Sequence, residues 1–198
     1  MSVEATDVKK LREMTDAGFM ACKTALEESG GDFEAAKDLL RTQGEMSVQK
    51  RSGKDAGEGA VFSYIHGKGR VGVLLDLNCE TDFAADTDAF RELGKTLCLQ
   101  IAAMSPRWVS QEDAPLDAVS RERGILLEQA KDEGKPDNIA EKMVEGRLRK
   151  FYETFCLMDQ ECVSQEKTKV SDVVTEAAGR IKEKVVVKRF VRFALGEE

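Results

Sequence analysis

Apolar residues recur at helical spacing through the first part of the chain. Their period predicts a compact unit of three helices that ends near Gln43, with breaks at residues 15–18 and 29–31 and with Asp32 as the N-cap of the third helix. The apolar positions are Leu11, Met14, Met20, Ala25, Leu26, Phe33, Ala36, Leu39 and Leu40. Such a short unit buries little apolar surface by itself, so its remaining apolar face is available to a partner.

The pattern changes after Gly44, where the helical period fades. Residues 50–57 are polar and contain glycine, which is typical of a linker. Alternation of apolar and polar residues then predicts a strand over 60–66, a turn at 67–69 and a returning strand over 70–79. We therefore expect a hairpin at the start of the second part of the chain.

The rest of the chain is mainly helical, with one last strand. The pattern predicts a helix that ends near Met104 before Pro106, a helix from Ser110 or residues 112–113 to residues 134–136, a helix from Asp137, a helix from Ser171 or Asp172, and a strand over 185–195. Segregated strands and helices favour the α+β class. We predict a helical module with its linker over 1–54 and an α+β core domain over 55–198, in which a small antiparallel sheet packs with helices and a helical segment lies near 137–165.

Composition and charge narrow the class of protein. Of the 198 residues, 41% are hydrophobic and 34% charged, and the formal net charge of -7 argues against binding along a nucleic-acid backbone. The sequence shows no signal-peptide pattern and no apolar run long enough to span a membrane. Without a CxxC pair, five cysteines predict reduced, mostly buried thiols: Cys22, Cys79, Cys98, Cys156 and Cys162. Together these features predict a soluble cytoplasmic protein.

The run Asn-Cys-Glu-Thr-Asp-Phe-Ala-Ala at residues 78–85 lies where the second strand gives way to a helix. Two interpretations are open on the residues alone. In one, Thr81 or Asp82 caps the helix by accepting a bond from a free backbone N–H, and Phe83 folds back as a hydrophobic staple. In the other, the carboxylate of Asp82 and the ring of Phe83 reach outward to a partner.

The glycines at residues 67–72 formally match GxGxxG, the dinucleotide fingerprint. That motif requires a helix to open directly after it, so that the helix N-terminus holds the pyrophosphate. Residues 73–77 instead continue the strand pattern, so we interpret the glycines as a hairpin turn with positive φ. The chain contains no GxxxxGK[ST] sequence either, and we predict no nucleotide cofactor.

The remaining candidates for catalytic or metal-binding residues have little support in the sequence. His66 is the only histidine and has no HxxxH, HExxH or Cys-His companion, so we interpret it as a hairpin residue bonded to a backbone carbonyl or water, or as a contact for a protein partner. The acidic residues beside Cys79 disfavour a thiolate. Cys156 and Cys162 lack further zinc ligands. We predict no catalytic residue and no metal site.

Several segments spread along nearly the whole chain carry distinctive sequences. They are Leu-Arg-Glu-Met-Thr at 11–15, Cys-Lys-Thr-Ala-Leu at 22–26, Ser-Tyr-Ile-His at 63–66, Arg-Val-Gly-Val-Leu at 70–74, Leu-Asn-Cys-Glu-Thr-Asp-Phe at 77–83, Ile-Ala-Glu-Lys-Met-Val-Glu-Gly-Arg-Leu at 139–148 and Val-Lys-Arg-Phe-Val-Arg-Phe at 187–193. In sequence and in order, these segments resemble the bacterial elongation factor Ts family, the nucleotide-exchange factors for the GTPase elongation factor Tu.

The resemblance implies a translation elongation factor in protein biosynthesis and not an enzyme. It implies that the N-terminal module is similar to a ubiquitin-associated domain and that Arg12, Phe19 and Met20 grip the GTPase, although Phe19 and Met20 could equally belong to the module's own core. It also implies that Tyr64 and His66 lie on a hairpin that faces the GTPase.

For residues 81–83 the resemblance implies the exchange step itself. Phe83 would act as a wedge near the magnesium and phosphate site of the GTPase, and Asp82 would compete for groups that order the magnesium. Thr81 would cap the helix and hold both side chains in place. GDP release would then allow GTP to rebind.

Three positions depart from the family pattern. Asp16 stands where glycine is common, Asp86 where a basic residue is common, and residues 159–162 are more polar than the usual Gly-Gln-Pro-Phe-like turn. The chain is also short for the family. Short members resemble half of the longer core and pair as homodimers, which makes residues 185–195 a candidate interface strand.

Two other classes of function remain as alternatives. A binding module of another class, which recognises nascent chains or other translation factors, would use the N-terminal helices without needing Asp82 and Phe83. A cofactor-dependent enzyme would use the glycine turn, and bound nucleotide or turnover in the isolated protein would identify it.

Overall fold

The computed structural model describes residues 3–15, 17–134 and 136–197, and it confirms the α+β class. Asp16 and Lys135 lie outside the described residues. The elements are, in chain order, α1 (Ala5–Thr15), α2 (Phe19–Glu28), α3 (Phe33–Lys50), β1 (Glu58–His66), β2 (Val71–Cys79), α4 (Asp82–Ala85), α5 (Asp88–Met104), α6 (Leu116–Asp132), α7 (Asp137–Phe155), α8 (Val170–Ile181) and β3 (Val185–Ala194).

The described chain divides into two compact units. The first comprises Met1–Ala60, Asn78–Leu93 and Val174–Val186, and the second comprises Val61–Leu77, Gly94–Val173 and Val187–Glu198. The first unit therefore contains α1 to α3 and the corner that follows β2, whereas the second contains the tip of the β1–β2 hairpin and the helices α6 and α7. Within the described residues, no helix is long and apolar enough to cross a membrane.

In the first unit, α1, α2 and α3 enclose a small apolar core. Its buried members are Val8, Leu11, Cys22, Ala25, Leu26 and Ala36. Met14 and Met20, which the helical period also assigned to apolar faces, lie outside this core and are 50% and 66% exposed. Asp32 caps α3 as predicted, because its Oδ1 accepts bonds from the backbone N–H groups of Glu34 at 2.9 Å and Ala35 at 3.1 Å.

Helix α3 continues to Lys50, well past the end near Gln43 that the fading period predicted. A second helix approaches it closely there: a Cβ atom added to Gly179 of α8 would lie 3.4 Å from the Cα of Gly44. Since neither residue has a side chain, the two backbones can approach to a distance that larger residues would prevent. The extension is therefore stabilised by tertiary packing rather than by a local apolar period.

The strands form a three-stranded antiparallel sheet in the order β1-β2-β3. The predicted hairpin turn is confirmed, since Gly67, Lys68 and Gly69 have φ values of 60°, 58° and 87° and the N–H of Arg70 donates to the carbonyl of His66 at 3.0 Å. Strand β3 lies beside β2 and ends opposite its start, where the N–H of Leu195 donates to the carbonyl of Arg70 at 2.9 Å.

The helix predicted after the second strand is in fact two helices, α4 and α5. Thr87 lies between them, and its Oγ1 accepts a bond from the N–H of Phe90 at 3.3 Å, which caps the start of α5. In the second unit, α5 packs on β1 so closely that a Cβ on Gly94 would lie 2.5 Å from the ring of Phe62. Glycine is therefore required where this helix meets the sheet.

Helices α6 and α7 pack together in the second unit, where Arg147 donates to Glu133 at 2.7 Å. The predicted helical segment near 137–165 ends at Phe155. The only tryptophan of the chain, Trp108, packs against Phe151 and Phe155, with ring centroids 5.9 Å and 6.3 Å away. An aromatic cluster therefore covers the last turns of α7.

A buried amide network includes Gln160, which lies in the polar run at residues 159–162. Gln160 is fully buried, where its Oε1 accepts a bond from the amide of Gln100 at 3.0 Å and its own amide donates to the carbonyl of Thr154 at 2.8 Å. The Oε1 of Gln100 accepts from the N–H of Val163 at 2.8 Å. Gln160 is the one residue of the run that the family turn shares, and its polar groups are satisfied inside the second unit.

Candidate functional site

The corner after β2 is capped by Thr81. This residue has extended backbone angles, and its Oγ1 accepts a bond from the N–H of Ala84 at 3.2 Å, so it is the N-cap of α4. The cap predicted at this corner is therefore confirmed. Helix α4 has only four residues, too few to be stable in isolation.

Phe83 does not fold back onto the helix. Its side chain is 82% exposed, so the predicted hydrophobic staple is wrong. Asp82 is exposed as well, and its Oδ1 accepts a bond from the N–H of Phe83 at 2.9 Å. The structure combines the two interpretations of the sequence: Thr81 caps the helix while Asp82 and Phe83 face solvent.

Glutamate side chains fix the capping residue to the turn before β3. Glu183 accepts bonds from both the N–H of Thr81, at 3.0 Å, and its hydroxyl, at 2.7 Å. The neighbouring Glu80 accepts from the N–H of Lys184 at 2.7 Å and from the guanidinium of Arg51 at 2.8 and 3.0 Å. The N–H of Lys184 and the charge of Arg51 hold the pKa of Glu80 below its usual range.

Cysteine chemistry is absent from this corner. Cys79 is fully buried and its Sγ donates to the carbonyl of Thr81 at 3.1 Å. Burial and then the charge of Glu183 raise the pKa of Cys79, so the expectation of a protonated thiol is confirmed, although desolvation rather than the adjacent carboxylates is the main cause. Burial likewise raises the pKa values of Cys98 and Cys156 to about 11.

All five cysteines are free and buried, as the sequence predicted. Among the described residues, no group of three or more His, Cys, Asp or Glu side chains is arranged to hold a metal ion. At the corner, the carboxylate of Asp82 and the ring of Phe83 are exposed to solvent, whereas the carboxylates of Glu80 and Glu183 are bonded within the chain.

The N-terminal candidates lie on the surface of their module. Arg12 is exposed near the end of α1, and Phe19 and Met20, in the first turn of α2, are 46% and 66% exposed. Of the two interpretations that periodicity left open for Phe19 and Met20, the one that buries them in the module's own core is excluded. Both are accessible to a partner.

The hairpin candidates in the second unit contact each other. The hydroxyl of Tyr64 and the Nδ1 of His66 are 2.9 Å apart, and their ring centroids are 5.8 Å apart. The predicted partner of His66, a backbone carbonyl or water, is thus replaced by a phenol. His66 is exposed and Tyr64 is half-buried, so the pair forms an accessible polar edge of the hairpin.

Sequence reasoning missed Arg51, Glu80 and Glu183 as parts of this corner. Glu183 lies 102 positions from Thr81, and no periodicity or local spacing connects the two residues. Asp86, noted for its departure from the family pattern, accepts a bond from Arg91 at 2.9 Å and so has a cationic partner within its own chain.

Comparison with known proteins gives a consistent assignment. Residues 7–197 match the family model described as Elongation factor TS. The chain is 47% identical over 197 residues to "Elongation factor Ts" of Fervidobacterium nodosum, covering 100% of both chains. It is 50% identical over 195 residues to the protein of that name from Anaeromyxobacter sp., covering 98% of this chain and 89% of the relative. A 50% identity over 190 residues relates it to that of Carboxydothermus hydrogenoformans, covering 96% of this chain and 88% of the relative.

The match is continuous along the chain, and it includes both the capped corner and the N-terminal helices. Members of this family act in translation elongation by nucleotide exchange on the GTPase elongation factor Tu, and they are not catalytic enzymes. The chain belongs to the elongation factor Ts family.

Proposed function

We propose that this protein releases GDP from elongation factor Tu by inserting Asp82 and Phe83 near the magnesium and phosphate site, after which GTP rebinds. One observation carries the proposal: the ring of Phe83 is 82% exposed on a helix whose capping residue is fixed by Glu183. A ring held in this way can displace packed side chains in the GTPase, since close-packed interiors shift rather than compress.

Exchange requires the factor to bind the nucleotide-free GTPase more tightly than the GDP-bound form. By linkage, GDP then weakens binding of the factor by the same ratio. A thousandfold loss of GDP affinity corresponds to about 4 kcal/mol of coupling. That coupling has to come from contacts which form only when the phosphate site is distorted.

Asp82 supplies the polar part of this proposal. Its carboxylate is exposed and, within the described part of the chain, forms no ion pair. It is therefore available to compete for groups of the GTPase that order the magnesium ion. The ring of Phe83, which lies next to it in the same helical turn, would act on apolar packing at the same place.

The N-terminal module would supply affinity. We propose that residues 1–54 form a module similar to a ubiquitin-associated domain, in which Arg12, Phe19 and Met20 bind the GTPase. Their exposure supports this role, because the module's core is complete without them. The pair of Tyr64 and His66 on the hairpin would add a polar contact to the same partner.

A second copy of the chain is the proposed partner for the core domain over 55–198. One face of the sheet carries exposed apolar side chains from all three strands: Val61, Ile65, Leu74, Val191 and Phe193. An uncovered apolar sheet face supports pairing with an identical face, and β3 lies at an edge of the sheet order. A homodimer acting in the cytoplasm is consistent with this surface.

The test is stopped-flow release of fluorescent GDP from elongation factor Tu. We expect Phe83→Ala and Asp82→Ala each to reduce the maximal acceleration roughly tenfold or more, a loss of about 1.4 kcal/mol per decade, while binding to the GTPase persists. The matched control is Leu116→Ala, which removes an apolar side chain that is 85% exposed on α6 and should leave release unchanged.

Two outcomes would contradict the proposal. If the wild-type protein binds elongation factor Tu without accelerating release, exchange is not its activity and a binding module of another class is favoured. If wild type accelerates release and both variants match it, exchange depends on other contacts.

A further inference from the structure

Glu80 and Glu183 each accept a hydrogen bond from the backbone of the chain segment that contains the other. The side chain of Glu80 accepts from the N–H of Lys184, at 2.7 Å, and the side chain of Glu183 accepts from the N–H of Thr81, at 3.0 Å. Each carboxylate thus bonds the residue that follows the other glutamate. We name the arrangement of Glu80, Thr81, Glu183 and Lys184 the carboxylate crossover. All four residues belong to the first compact unit.

The carboxylate crossover determines the direction of the hydrogen bonds that Thr81 forms. An ionised carboxylate only accepts hydrogen bonds, so the hydroxyl proton of Thr81 must point to Glu183, at 2.7 Å, and a lone pair is left for the N–H of Ala84, at 3.2 Å. The carbonyl of Thr81 accepts from the Sγ of Cys79 at 3.1 Å. Every polar group of the capping residue is therefore bonded in one orientation.

The segment after α3 joins the same arrangement. Arg51 donates to both carboxylate oxygens of Glu80, and the ammonium of Lys184 donates to the carbonyls of Ser52, at 2.7 Å, and Lys54, at 2.9 Å. The stretch that the sequence predicted as a linker is thus bonded at two points to the support of α4. Because the side chain of Glu80 is only 13% exposed, water competes little with the bonds between Arg51 and Glu80.

A helix of four residues has too few internal hydrogen bonds to hold its own direction. The direction of Asp82 and Phe83 must therefore come from contacts of α4 with the rest of the unit, which include the burial of Ala84 and the bonds of Thr81 with Glu183 and Cys79. A flexible corner would present the ring in many orientations, and only some of them would fit a partner. A corner that is already held in the fitting orientation loses less conformational entropy on binding.

This reasoning rests on the proposed exchange function. We propose that Glu183 is a positioning residue for nucleotide exchange: by bonding both donors of Thr81, the N–H and the hydroxyl, it holds Asp82 and Phe83 in the orientation that acts on the GTPase. Glu183 itself does not touch the partner in this scheme. Its loss should lower the rate of the exchange step more than the affinity of the complex.

The experiment measures GDP release from elongation factor Tu over a range of factor concentrations. We expect Glu183→Ala to lower the maximal release rate about tenfold while the concentration that gives half of it changes less than about threefold. The control Glu133→Ala removes a glutamate that accepts from Arg147 at 2.7 Å in the second unit, and it should preserve both values. If Glu183→Ala releases GDP as wild type does, the positioning role is wrong.

A combined variant separates positioning from a general structural role. If Glu183 acts through Asp82 and Phe83, Glu183→Ala should add little loss in a background in which both residues are alanine, because the substitutions remove one shared effect. An equal loss in both backgrounds would overturn the inference. If Phe83→Ala alone keeps full exchange, the proposed function fails and this inference fails with it. Loss in Phe83→Ala without loss in Glu183→Ala overturns only the inference.

Glu183→Gln serves if the alanine variant does not fold. The amide keeps the size of the side chain but offers one acceptor where two donors of Thr81 converge. We expect a reduction of the maximal rate of roughly threefold, smaller than for alanine since one of the two bonds is retained. An unchanged maximal rate in this variant would contradict the positioning role.

Discussion

The two candidate binding surfaces in the first compact unit are supported by different physics. The surface of Arg12, Phe19 and Met20 lies on regular helices around a local apolar core. The ring of Phe83 lies on a four-residue helix held by charged groups that are distant in sequence. Apolar packing is tolerant of direction, whereas carboxylate bonds specify one geometry. The proposed surface for affinity thus rests on apolar packing, whereas the proposed wedge rests on directional bonds.

The largest effect is expected for Leu26→Ala, which truncates a buried side chain in the core of the N-terminal module. Leu26 is 1% exposed, and its truncation should destabilise the module by about 2–5 kcal/mol, because the cavity cannot fully collapse. Denaturant unfolding followed by circular dichroism measures the loss. We expect binding to elongation factor Tu to weaken while the maximal exchange rate at saturation stays near wild type. A preserved affinity with a reduced maximal rate would reverse the division of roles, and Met46→Ala, at an exposed position, is the control.

Substitutions at two helix caps test the same comparison, with smaller expected effects. Asp32→Ala removes a cap of α3 that only serves its own helix, and it should cost about 1 kcal/mol of the free energy of unfolding. Thr81→Ala removes the cap of α4 and one bond to Glu183, and it should cost about 2 kcal/mol and also slow exchange. Thermal unfolding and GDP release of the two variants are measured in parallel. Equal loss of exchange in both would show that the cap of α4 has no special role.

The smallest expected effect is the dependence of stability on pH that the carboxylate crossover contributes. The pKa of Glu80 is lowered in the folded protein, so its contribution to stability is present above the pKa of the unfolded chain and is lost as the pH falls through the folded value. The difference in unfolding free energy between wild type and Glu80→Gln should therefore shrink in the acidic range below about 4.5. A difference that stays constant with pH would show that the Glu80 carboxylate does not contribute through its charge.

The sequence predicted the elements whose signals are local. The glycine turn at 67–69 and the cap at Asp32 depend on residues within a few positions, and both are confirmed. The extension of α3 was missed because it depends on Gly44 meeting Gly179, residues that lie far apart in sequence. The division of the predicted helix into α4 and α5 was missed because it depends on the single hydroxyl of Thr87.

The exposed residues of the candidate site could be predicted from the sequence, but the residues that hold them in place could not. The corner at 81–83 was recognised from a contiguous motif, and the outward position of Phe83 agrees with the interpretation that gave it a partner. Glu183 lies 102 positions from Thr81, so the contact between them depends on the tertiary fold of the first unit. A contiguous motif therefore identifies exposed residues, while the distant residues that bond their neighbours are determined by the tertiary fold.

The position of Trp108 gives the molecule an optical label. The only indole of the chain packs against Phe151 and Phe155, and all three residues belong to the second compact unit. Its emission should therefore report the melting of that unit, whereas far-ultraviolet ellipticity reports the helices of both units. Heating the protein while both signals are recorded would show whether the two units lose their structure together or one after the other.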